Sequence, residues 1–174
     1  MRKQLLFLAM ALVAVVSFQA CSDDNDDNKD YPPNPTTVEQ KFIDAFKQKY
    51  PDADVSKVKW EQKQNYTVAE FARIPNVETE VWFNSSAVWA MTEEDLGKDL
   101  FLIPTAVNVA FNQTAYATAT IDDIKHYTTP TLDYYVIEVD QTPADMQLFF
   151  LPDGTLKKTA ADTGTEIYPD TTPF

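Results

Sequence analysis

The sequence predicts an α+β fold made of two tandem repeats, each a short helix followed by strands. The first observation is internal similarity, because four blocks of the first half recur in the same order in the second half, at an offset of 65 to 68 positions. The second is that each copy opens with apolar residues at helical spacing, and the third is that its later blocks alternate apolar and polar residues as strands do. The matching blocks are residues 42–46 and 107–111, 55–60 and 121–126, 66–71 and 134–139, and 81–83 with Trp89 and 148–150 with Leu156.

Each repeat is predicted to begin with a helix. Thr36 or Thr37 can cap the first helix, and that helix should end before Pro51, because the residue before a proline avoids the helical region. Pro104 suits the first turn of the second helix. Both helices are short, so their stability must come from packing on a sheet. The core-facing stripes are Val38, Phe42, Ala45 and Phe46 in the first helix and Ala106, Val107, Ala110 and Phe111 in the second.

The third and fourth blocks of each repeat are predicted to be strands with two distinct faces. The helix-covered face carries Thr67, Ala69, Phe71, Val81 and Phe83, matched by Tyr135, Ile137, Val139, Leu148 and Phe150. The opposite face carries Tyr66, Val68, Glu70, Glu80 and Trp82, matched by Tyr134, Val136, Glu138, Gln147 and Phe149. Residues 84–86 and 152–154 are predicted hairpin turns. Residues 92–96 are predicted to form a short capped helical turn that leads to the second repeat.

The N-terminus has the features of a secretory leader. Arg2 and Lys3 precede an apolar stretch at 5–16 that is too short to span a bilayer, which favours a cleaved signal over a retained helix. Ala20 is the small residue expected before the cut, and Cys21 follows it at once. The alternative to a modified cysteine is an ordinary buried one behind a plain secretory signal.

Residues 18–21, FQAC, resemble a bacterial lipobox, with Phe18 in place of the usual leucine. The resemblance implies that the Cys21 thiol takes a diacylglyceryl group and that its amine is acylated with a chain such as palmitate. Several buried acyl chains hold a protein to a membrane almost permanently, at about 0.8 kcal/mol for each buried CH₂. The predicted partner of the N-terminus is therefore a membrane, reached through lipid on Cys21.

The acidic run at 22–27, SDDNDD, resembles the signal that sends some lipoproteins to the outer face of the outer membrane. We therefore predict an outer-membrane lipoprotein displayed at the cell surface, with a periplasm-facing anchor as the alternative. A calcium loop is a poor alternative, because the run lacks the turn glycine and the distal glutamate of an EF-hand. In any case such a charged block is a solvated tether.

Composition excludes several classes of function. The net charge of −13 argues against nucleic acid, because nothing here would neutralise phosphates. With Cys21 the only cysteine, the folded part has no disulfide. His126, the only histidine, stands where the first repeat has Trp60, which favours a structural place on a strand over a catalytic or metal-binding one. Three glycines provide no phosphate-binding loop. We therefore expect no metal and no cofactor.

The aromatic and turn residues carry a family resemblance. The stretches at 46–53 (FKQKYPDA), 58–60 (VKW), 66–71 (YTVAEF) and 82–89 (WFNSSAVW) resemble the PepSY-like group, which is similar to the beta-lactamase inhibitor protein. The resemblance covers about residues 37–160. Departures are Ala87, where the first hairpin favours glycine, and residues 115–117, where the second copy lacks Tyr-Pro.

The resemblance implies a fold and a type of function. Each repeat would be a helix packed on a four-stranded antiparallel sheet, and the two sheets would form one curved sheet whose concave face grips a partner protein in the inhibitor. Fold alone does not establish function. The predicted organisation is a signal peptide (1–20), an acidic, proline-rich tether (21–36), a first repeat (37–97), a second repeat (98–160) and a C-terminal tail (161–174).

We predict a lipid-anchored binding module that recognises a protein through an aromatic and acidic sheet face, with exposed aromatics as anchors and carboxylates that select basic or hydroxylated ligands. Two observations could remove this face: coverage by the tail or coverage by the other repeat. The main alternative function is a structural or assembly accessory lipoprotein of an envelope complex. The predicted binding residues are Tyr66, Glu70, Glu80, Trp82, Tyr134, Glu138 and Phe149.

Catalysis is the third hypothesis and the least favoured, so we expect a protein that is not an enzyme. Glu70 and Glu80 are predicted to be neighbours on one sheet face with Tyr66 and Trp82 close by. Paired carboxylates beside aromatics are typical of a glycosidase cleft. They are also typical of the solvent-facing side of an ordinary sheet.

Overall fold

The computed structural model describes residues 38–174. The leader, Cys21, the acidic tether and the capping role of Thr36 or Thr37 lie outside the described residues. Among the residues that are described, no helix is both long and apolar enough to cross a membrane.

The described chain is an open sheet of eight antiparallel strands with two helices, so the predicted α+β class is confirmed. The strands follow one another across the sheet in chain order, from β1 at one edge to β8 at the other. A helix followed by four strands occurs twice along the chain. The elements are α1 (Gln40–Lys49), a 3₁₀ turn (Val55–Lys57), β1 (Lys59–Lys63), β2 (Tyr66–Ile74), β3 (Val77–Phe83), β4 (Trp89–Asp95), α2 (Thr105–Phe111), β5 (Ile121–Thr128), β6 (Asp133–Val139), β7 (Met146–Phe150) and β8 (Leu156–Ala161).

Both helices pack on the sheet through the apolar stripes that the sequence predicts. Phe42 and Phe46 of α1 lie against the first four strands, in a buried cluster with Ala69, Val81 and Phe83. The corresponding cluster under α2 contains Val107, Phe111, Ile124, Tyr135, Ile137, Val139, Leu148 and Phe150. The predicted helix-covered face of β2, β3, β6 and β7 is therefore confirmed, and each helix covers its own set of strands.

The helix starts differ from the prediction. The N-cap of α1 is Glu39, which is later than the predicted threonines, and its side chain makes no capping hydrogen bond. Pro104 lies at the N-cap of α2 and not within its first turn. Neither start has a side-chain cap, which agrees with helices whose stability comes from burial against the sheet.

Residues 92–96 do not form the predicted helical turn. Thr92 to Asp95 belong to β4, which pairs with β3 on one side and with β5 on the other. The threonine followed three residues later by an acid resembles a capping box, but backbone pairing on both edges satisfies more hydrogen-bonding groups than one helical turn could. β4 is therefore the strand that joins the two halves into one sheet.

Both predicted hairpin turns are present. In the first, Asn84 Oδ1 accepts hydrogen bonds from the backbone N–H groups of Ser86 and Val88, at 3.0 and 3.1 Å. Ala87 has a positive φ of 57°, which explains why this position favours glycine. In the second, Gly154 has φ of 87°, and a Cβ there would lie 2.5 Å from the carbonyl oxygen of Ala106.

The C-terminal tail contains no helix or strand beyond Ala161. It lies on the sheet face that the helices leave free, where Ile167, Tyr168 and Phe174 pack against buried residues of the sheet. The tail therefore covers part of the face on which the sequence predicts binding.

Candidate binding face

The helix-free face of the sheet has two parts, an aromatic cluster and an acidic groove. The aromatic cluster is the set of buried side chains Val68, Trp82, Met91, Tyr127, Tyr134, Val136 and Phe149. The acidic groove is a cavity of about 370 Å³ beside it. Carboxylates from three strands and from the tail line the groove, together with two lysines: Glu78, Glu80, Glu93, Asp95, Glu138, Asp162 and Glu166, with Lys63 and Lys125.

All seven residues predicted to bind a partner lie on this face. Glu80 and Glu138 line the acidic groove. Trp82, Tyr134 and Phe149 belong to the aromatic cluster, and Tyr66 packs against the edge of that cluster. Glu70 lies beyond the groove and pairs with Lys59. The structure thus brings the predicted residues together, and their role in binding stays a prediction.

The large aromatics on this face are not exposed, in contrast to the prediction. Trp82, Tyr134 and Phe149 have 0%, 1% and 3% of their surface accessible. Tyr168 packs against Trp82, with ring centroids 5.4 Å apart and an angle of 85° between the planes. Phe174 packs in the same way on Tyr134, at 5.8 Å and 87°. The tail therefore covers Trp82 and Tyr134, which is one of the alternatives that the sequence left open, and Phe149 is packed against Tyr134 and the end of Lys158.

Like charges lie directly opposite one another across the strands of this face. In the register of the sheet Glu70 faces Glu80, and Glu80 faces Glu93. Other opposed pairs of acids are Glu78 with Asp95 and Asp123 with Glu138. Like charges in directly opposed positions destabilise a sheet. The stability of the fold therefore does not explain why so many carboxylates share one face.

Lys63 is the cation that joins the groove to the tail. Its Nζ lies 2.9 Å from Glu80, 3.1 Å from Glu61 and 2.6 Å from Glu166 of the tail. The same nitrogen lies 5.0 Å from the ring centroid of Trp82. Burial lowers the pKa of Lys63, but the hydrogen bonds to Glu166 and Glu80 outweigh burial and raise the pKa above its ordinary value. Lys63 therefore stays charged at the boundary between groove and cluster.

Lys125 is the second cation of the groove, and its Nζ lies 2.9 Å from Glu93. Burial raises the pKa of the Glu93 carboxyl even though Lys125 lowers it. Burial also raises the pKa of Glu80, despite its bonds to Lys63. Next to the groove, burial and the charge of Asp95 raise the pKa of Asp123 to about 6. The two lysines thus leave negative charge uncompensated, and the groove is suited to a positively charged group.

His126 lies on the other face, where it connects three strands. Its Nδ1 is 2.9 Å from Glu94 on β4, and its Nε2 is 2.8 Å from Asp133 on β6. The ring stacks on Tyr135 with centroids 4.3 Å apart. Glu94 also accepts a hydrogen bond from Arg73 Nε at 2.6 Å. This arrangement holds the two halves of the sheet together and leaves His126 remote from the groove.

The paired carboxylates suggested for catalysis do lie opposite each other, because Glu70 and Glu80 are register partners. Each is held by its own lysine, Glu70 by Lys59 and Glu80 by Lys63. Within residues 38–174, no three histidine, cysteine or acidic side chains are grouped so that they could hold a metal ion.

Several residues of the site are not singled out by the sequence. Glu78 lies two positions before the predicted Glu80 on β3, and Glu93 and Asp95 are spaced by two on β4, so each pair points to one face of its strand. That spacing is the signal that could have found them, but it depends on recognising β4 as a strand. Lys63, Lys125 and Glu166 enter the site only through tertiary packing.

Comparison with known proteins gives a consistent classification. A family model described as "Putative beta-lactamase-inhibitor-like, PepSY-like" matches residues 65–158. No curated protein is significantly similar to the chain. A solved structure of a BLIP-like protein from Bacteroides fragilis is 33% identical, with a TM-score of 0.66, and the match covers 85% of this chain and 97% of that one.

Two further solved structures resemble this chain to a similar degree. A DUF2874 family protein from Bacteroides ovatus is 32% identical with a TM-score of 0.63, covering 76% of this chain and 89% of that one. A protein from Bacteroides eggerthii, described among "putative periplasmic proteins", is 25% identical with a TM-score of 0.65, covering 74% of this chain and 92% of that one.

Proposed function

This chain belongs to the PepSY-like family, the beta-lactamase-inhibitor-like class, and from that premise we propose that it is a protein-binding module of the bacterial envelope. The proposed binding surface is the helix-free sheet face, and the proposed role is inhibitor-like: the module grips a partner protein and performs no chemistry on it. A family described by inhibition and not by catalysis is compatible with this role.

The acidic groove is the observation that supports the proposal. Its carboxylates are opposed across strands at a cost in stability, and burial already raises the pKa of Glu80 and Glu93. A partner that brings a lysine or arginine side chain into the groove would relieve this repulsion. Charge complementarity of this kind increases the rate of association and suppresses binding of wrong partners. The partner proposed is therefore a protein with a protruding basic side chain.

We also propose the anchor and the location that the N-terminus predicts. Lipid on Cys21 would hold the module to the outer membrane, and residues 21–36 would serve as the tether to the cell surface. A periplasm-facing anchor is the alternative, and the description of the relative from Bacteroides eggerthii as periplasmic agrees with it. Either position places the binding face in the envelope.

A duplicated ancestral unit is part of the same proposal. The order of helix and four strands repeats along the chain; α1 packs on β1 to β4, and α2 packs mainly on β5 to β7. Doubling of a small unit would place the last strand of the first copy, β4, beside the first strand of the second copy, β5. The two copies would then share one continuous sheet face, and the groove is lined by residues of both, from β3 to β7.

A second candidate function is a structural or assembly accessory of an envelope complex. One observation favours it: the aromatic cluster is closed by the tail, and an accessory needs no open aromatic face. Its partner would be permanent and present at fixed stoichiometry, whereas the partner of an inhibitor-like module would be released by salt.

The test compares three forms of the protein as bait for envelope fractions, with bound proteins identified by mass spectrometry. Glu78→Gln with Asp95→Asn removes two exposed groove charges that hold no ion pair among the described residues. Glu39→Gln with Asp52→Asn changes the charge equally on exposed positions away from the groove. The proposal predicts a partner whose recovery falls about 10-fold with the groove variant and with salt, and is unchanged with the control. Equal recovery with both variants contradicts it.

A further inference from the structure

The tail presents three side chains to three separate points of the helix-free face. Glu166 reaches Lys63, Tyr168 covers Trp82, and Phe174 covers Tyr134. In addition, Lys158 Nζ on β8 donates a hydrogen bond to the carbonyl oxygen of Pro173 at 2.8 Å. The tail thus contacts the face as an extended peptide would, through an acid and two aromatic rings in a fixed order.

The backbone of the tail is only weakly tied to the sheet. The Asp162 N–H donates to the Asp145 carbonyl at 2.7 Å, where the tail leaves β8. From there to the last residue, no hydrogen bond between two backbone groups joins the described tail to the sheet, and the one at Thr171 is made to Tyr168 of the tail itself. The tail is therefore held by side chains and not by a β-ladder, and segments of this kind open locally at low cost in free energy.

The surface beneath the tail has the properties of a binding site. It consists of large apolar and aromatic side chains flanked by a charged groove, which is the usual anatomy of an interface core and rim. The indole N–H of Trp82 is buried and has no hydrogen-bond partner among the described residues. A donor left unpaired in this position costs free energy, which a ligand with an acceptor would recover.

We infer that the aromatic cluster is a recognition surface for an extended peptide segment with two aromatic side chains and a nearby carboxylate, and that the C-terminal tail is its built-in occupant. The inference rests on the proposed function, because the tail controls binding only if this face binds a partner. An incoming segment of a partner protein displaces the tail and takes its contacts with Trp82, Tyr134 and Lys63. Displacement also removes the wall that Asp162 and Glu166 give the groove, so the aromatic cluster and the strand carboxylates of the groove become one continuous surface.

Competition by the tail would set the apparent affinity of this face for a segment of a partner protein. A tethered segment acts at an effective concentration of about a millimolar, so a partner must exceed the tail in contacts or in local concentration. The acidic groove supplies such an additional contact to a partner with a basic side chain. The tail has no lysine or arginine between residues 162 and 174 and so cannot make that contact. The tail therefore selects for partners that use both parts of the face.

The test is to offer the tail sequence in trans. The full chain with Tyr168→Ala and Phe174→Ala has a weakened occupant, and the probe is a fluorescent synthetic peptide of residues 162–174. The peptide should bind this variant about 10-fold more tightly than it binds the wild-type chain, whose own tail competes. A control peptide with the same two alanines should bind about 10-fold more weakly than the native peptide. Equal binding of both peptides, or no preference for the variant, overturns the inference.

A second measurement uses the wild-type chain and does not depend on how the variant folds. The Trp82 indole N–H is shielded by the tail, whereas the backbone N–H groups of β3 are held in the sheet. Relative to the intrinsic exchange rate of each kind of N–H, opening of the tail alone should leave the indole about 10-fold less protected from deuterium exchange than the β3 amides. Equal protection of both would show that the tail leaves only when the domain unfolds.

The two proposals can fail separately. The peptide-binding test needs no partner protein. A negative result in that test therefore contradicts only the role of the tail, and partner proteins could still be captured through the acidic groove. Loss of every captured partner, with peptide exchange as expected, would instead remove the proposed protein-binding role and leave a tail that merely closes the face.

Discussion

The rings of Trp82 and Tyr168 pack edge to face with their centroids 5.4 Å apart, which joins the centre of the sheet to the C-terminal tail. Trp82 also contacts Tyr66, at 5.9 Å, and the charged end of Lys63. This single indole therefore lies where the tail, the first strands and the acidic groove meet. Its exposure reports whether the face is closed or open.

Tyr168→Ala should open the face over Trp82. Loss of an edge-to-face pair and of the covering ring is expected to lower the free energy of unfolding by about 1–2 kcal/mol. The tryptophan fluorescence should shift to the red and be quenched more strongly by acrylamide, because Trp82 is fully buried in the wild type whereas Trp60 and Trp89 are already partly exposed. Tyr168→Phe keeps the ring and serves as the control. Unchanged fluorescence in the alanine variant would contradict the role of the tail as a cover.

Glu78→Gln with Asp95→Asn should stabilise the fold while it weakens binding. The two acids are register partners on β3 and β4, so their repulsion is removed. We expect the free energy of unfolding in urea to rise by about 0.5 kcal/mol. Glu39→Gln with Asp52→Asn has the same change of charge and should give no gain in stability, because Glu39 pairs with Lys41 at the start of α1. If the groove variant is instead less stable than the wild type, the carboxylates of Glu78 and Asp95 stabilise the fold, and their position needs no partner to explain it.

The faces of the strands could be predicted from the sequence because they depend on a local rule. Side chains alternate along a strand, so Ala69 and Val81 on one face, and Val68 and Trp82 on the other, follow from the pattern of residues alone. The turn at Gly154 is equally local, since its positive φ requires a residue without a side chain.

The rest of the site depends on partners that are distant in the sequence. The prediction for β4 is wrong because Thr92 and Asp95 have the spacing of a helix cap, and only pairing with β5 makes that segment a strand. The contact of Glu166 with Lys63 joins residues about a hundred positions apart. No periodicity indicates where a tail without regular structure will lie, so the sequence alone leaves open whether the tail covers Trp82.

The stability that His126 provides should depend on pH. Burial lowers the pKa of His126, but the hydrogen bonds to Glu94 and Asp133 outweigh burial and raise the pKa above its ordinary 6.5. A histidine of this kind contributes stability that is complete below its unfolded pKa and is lost as the pH rises through its folded pKa. His126→Gln should therefore lower the free energy of unfolding by about 1–2 kcal/mol near pH 6 and by less near pH 9.

Urea unfolding of the wild type and His126→Gln at the two pH values checks this prediction. The hydrogen bond from His126 also lowers the pKa of Glu94, so its contribution is retained above its ordinary pKa of 4.5 and is lost as the pH falls through its folded pKa. Above about pH 5, a pH dependence of the difference in unfolding free energy therefore reports the titration of His126 and not that of Glu94. A difference between the two proteins that does not change with pH would mean that the ring acts by packing on Tyr135 alone.

Asp123→Asn should increase stability at high pH. Burial, and then the charge of Asp95, raise the pKa of Asp123 to about 6, so its ionised form is disfavoured in the folded chain. The penalty is present above the folded pKa and disappears as the pH falls below the unfolded value of 3.8. We expect a gain of about 1 kcal/mol near pH 8, after allowance for solvent screening, and none near pH 3.

The neighbouring Asp122 is the control for that substitution. It is exposed and pairs with Lys98 at 3.0 Å, so Asp122→Asn should give no gain at either pH. Thermal unfolding of the two variants at both pH values makes the comparison. An equal gain from both would indicate a general effect of net charge and not the burial of Asp123.

The most direct test of the account is site-specific photocross-linking in intact cells. A photoreactive residue at position 78 lies in the acidic groove, and the same residue at position 44 lies on the exposed side of α1. If the helix-free face is the recognition surface, position 78 gives a covalent adduct with a second protein and position 44 does not. An adduct from position 44 with none from position 78 would contradict the account.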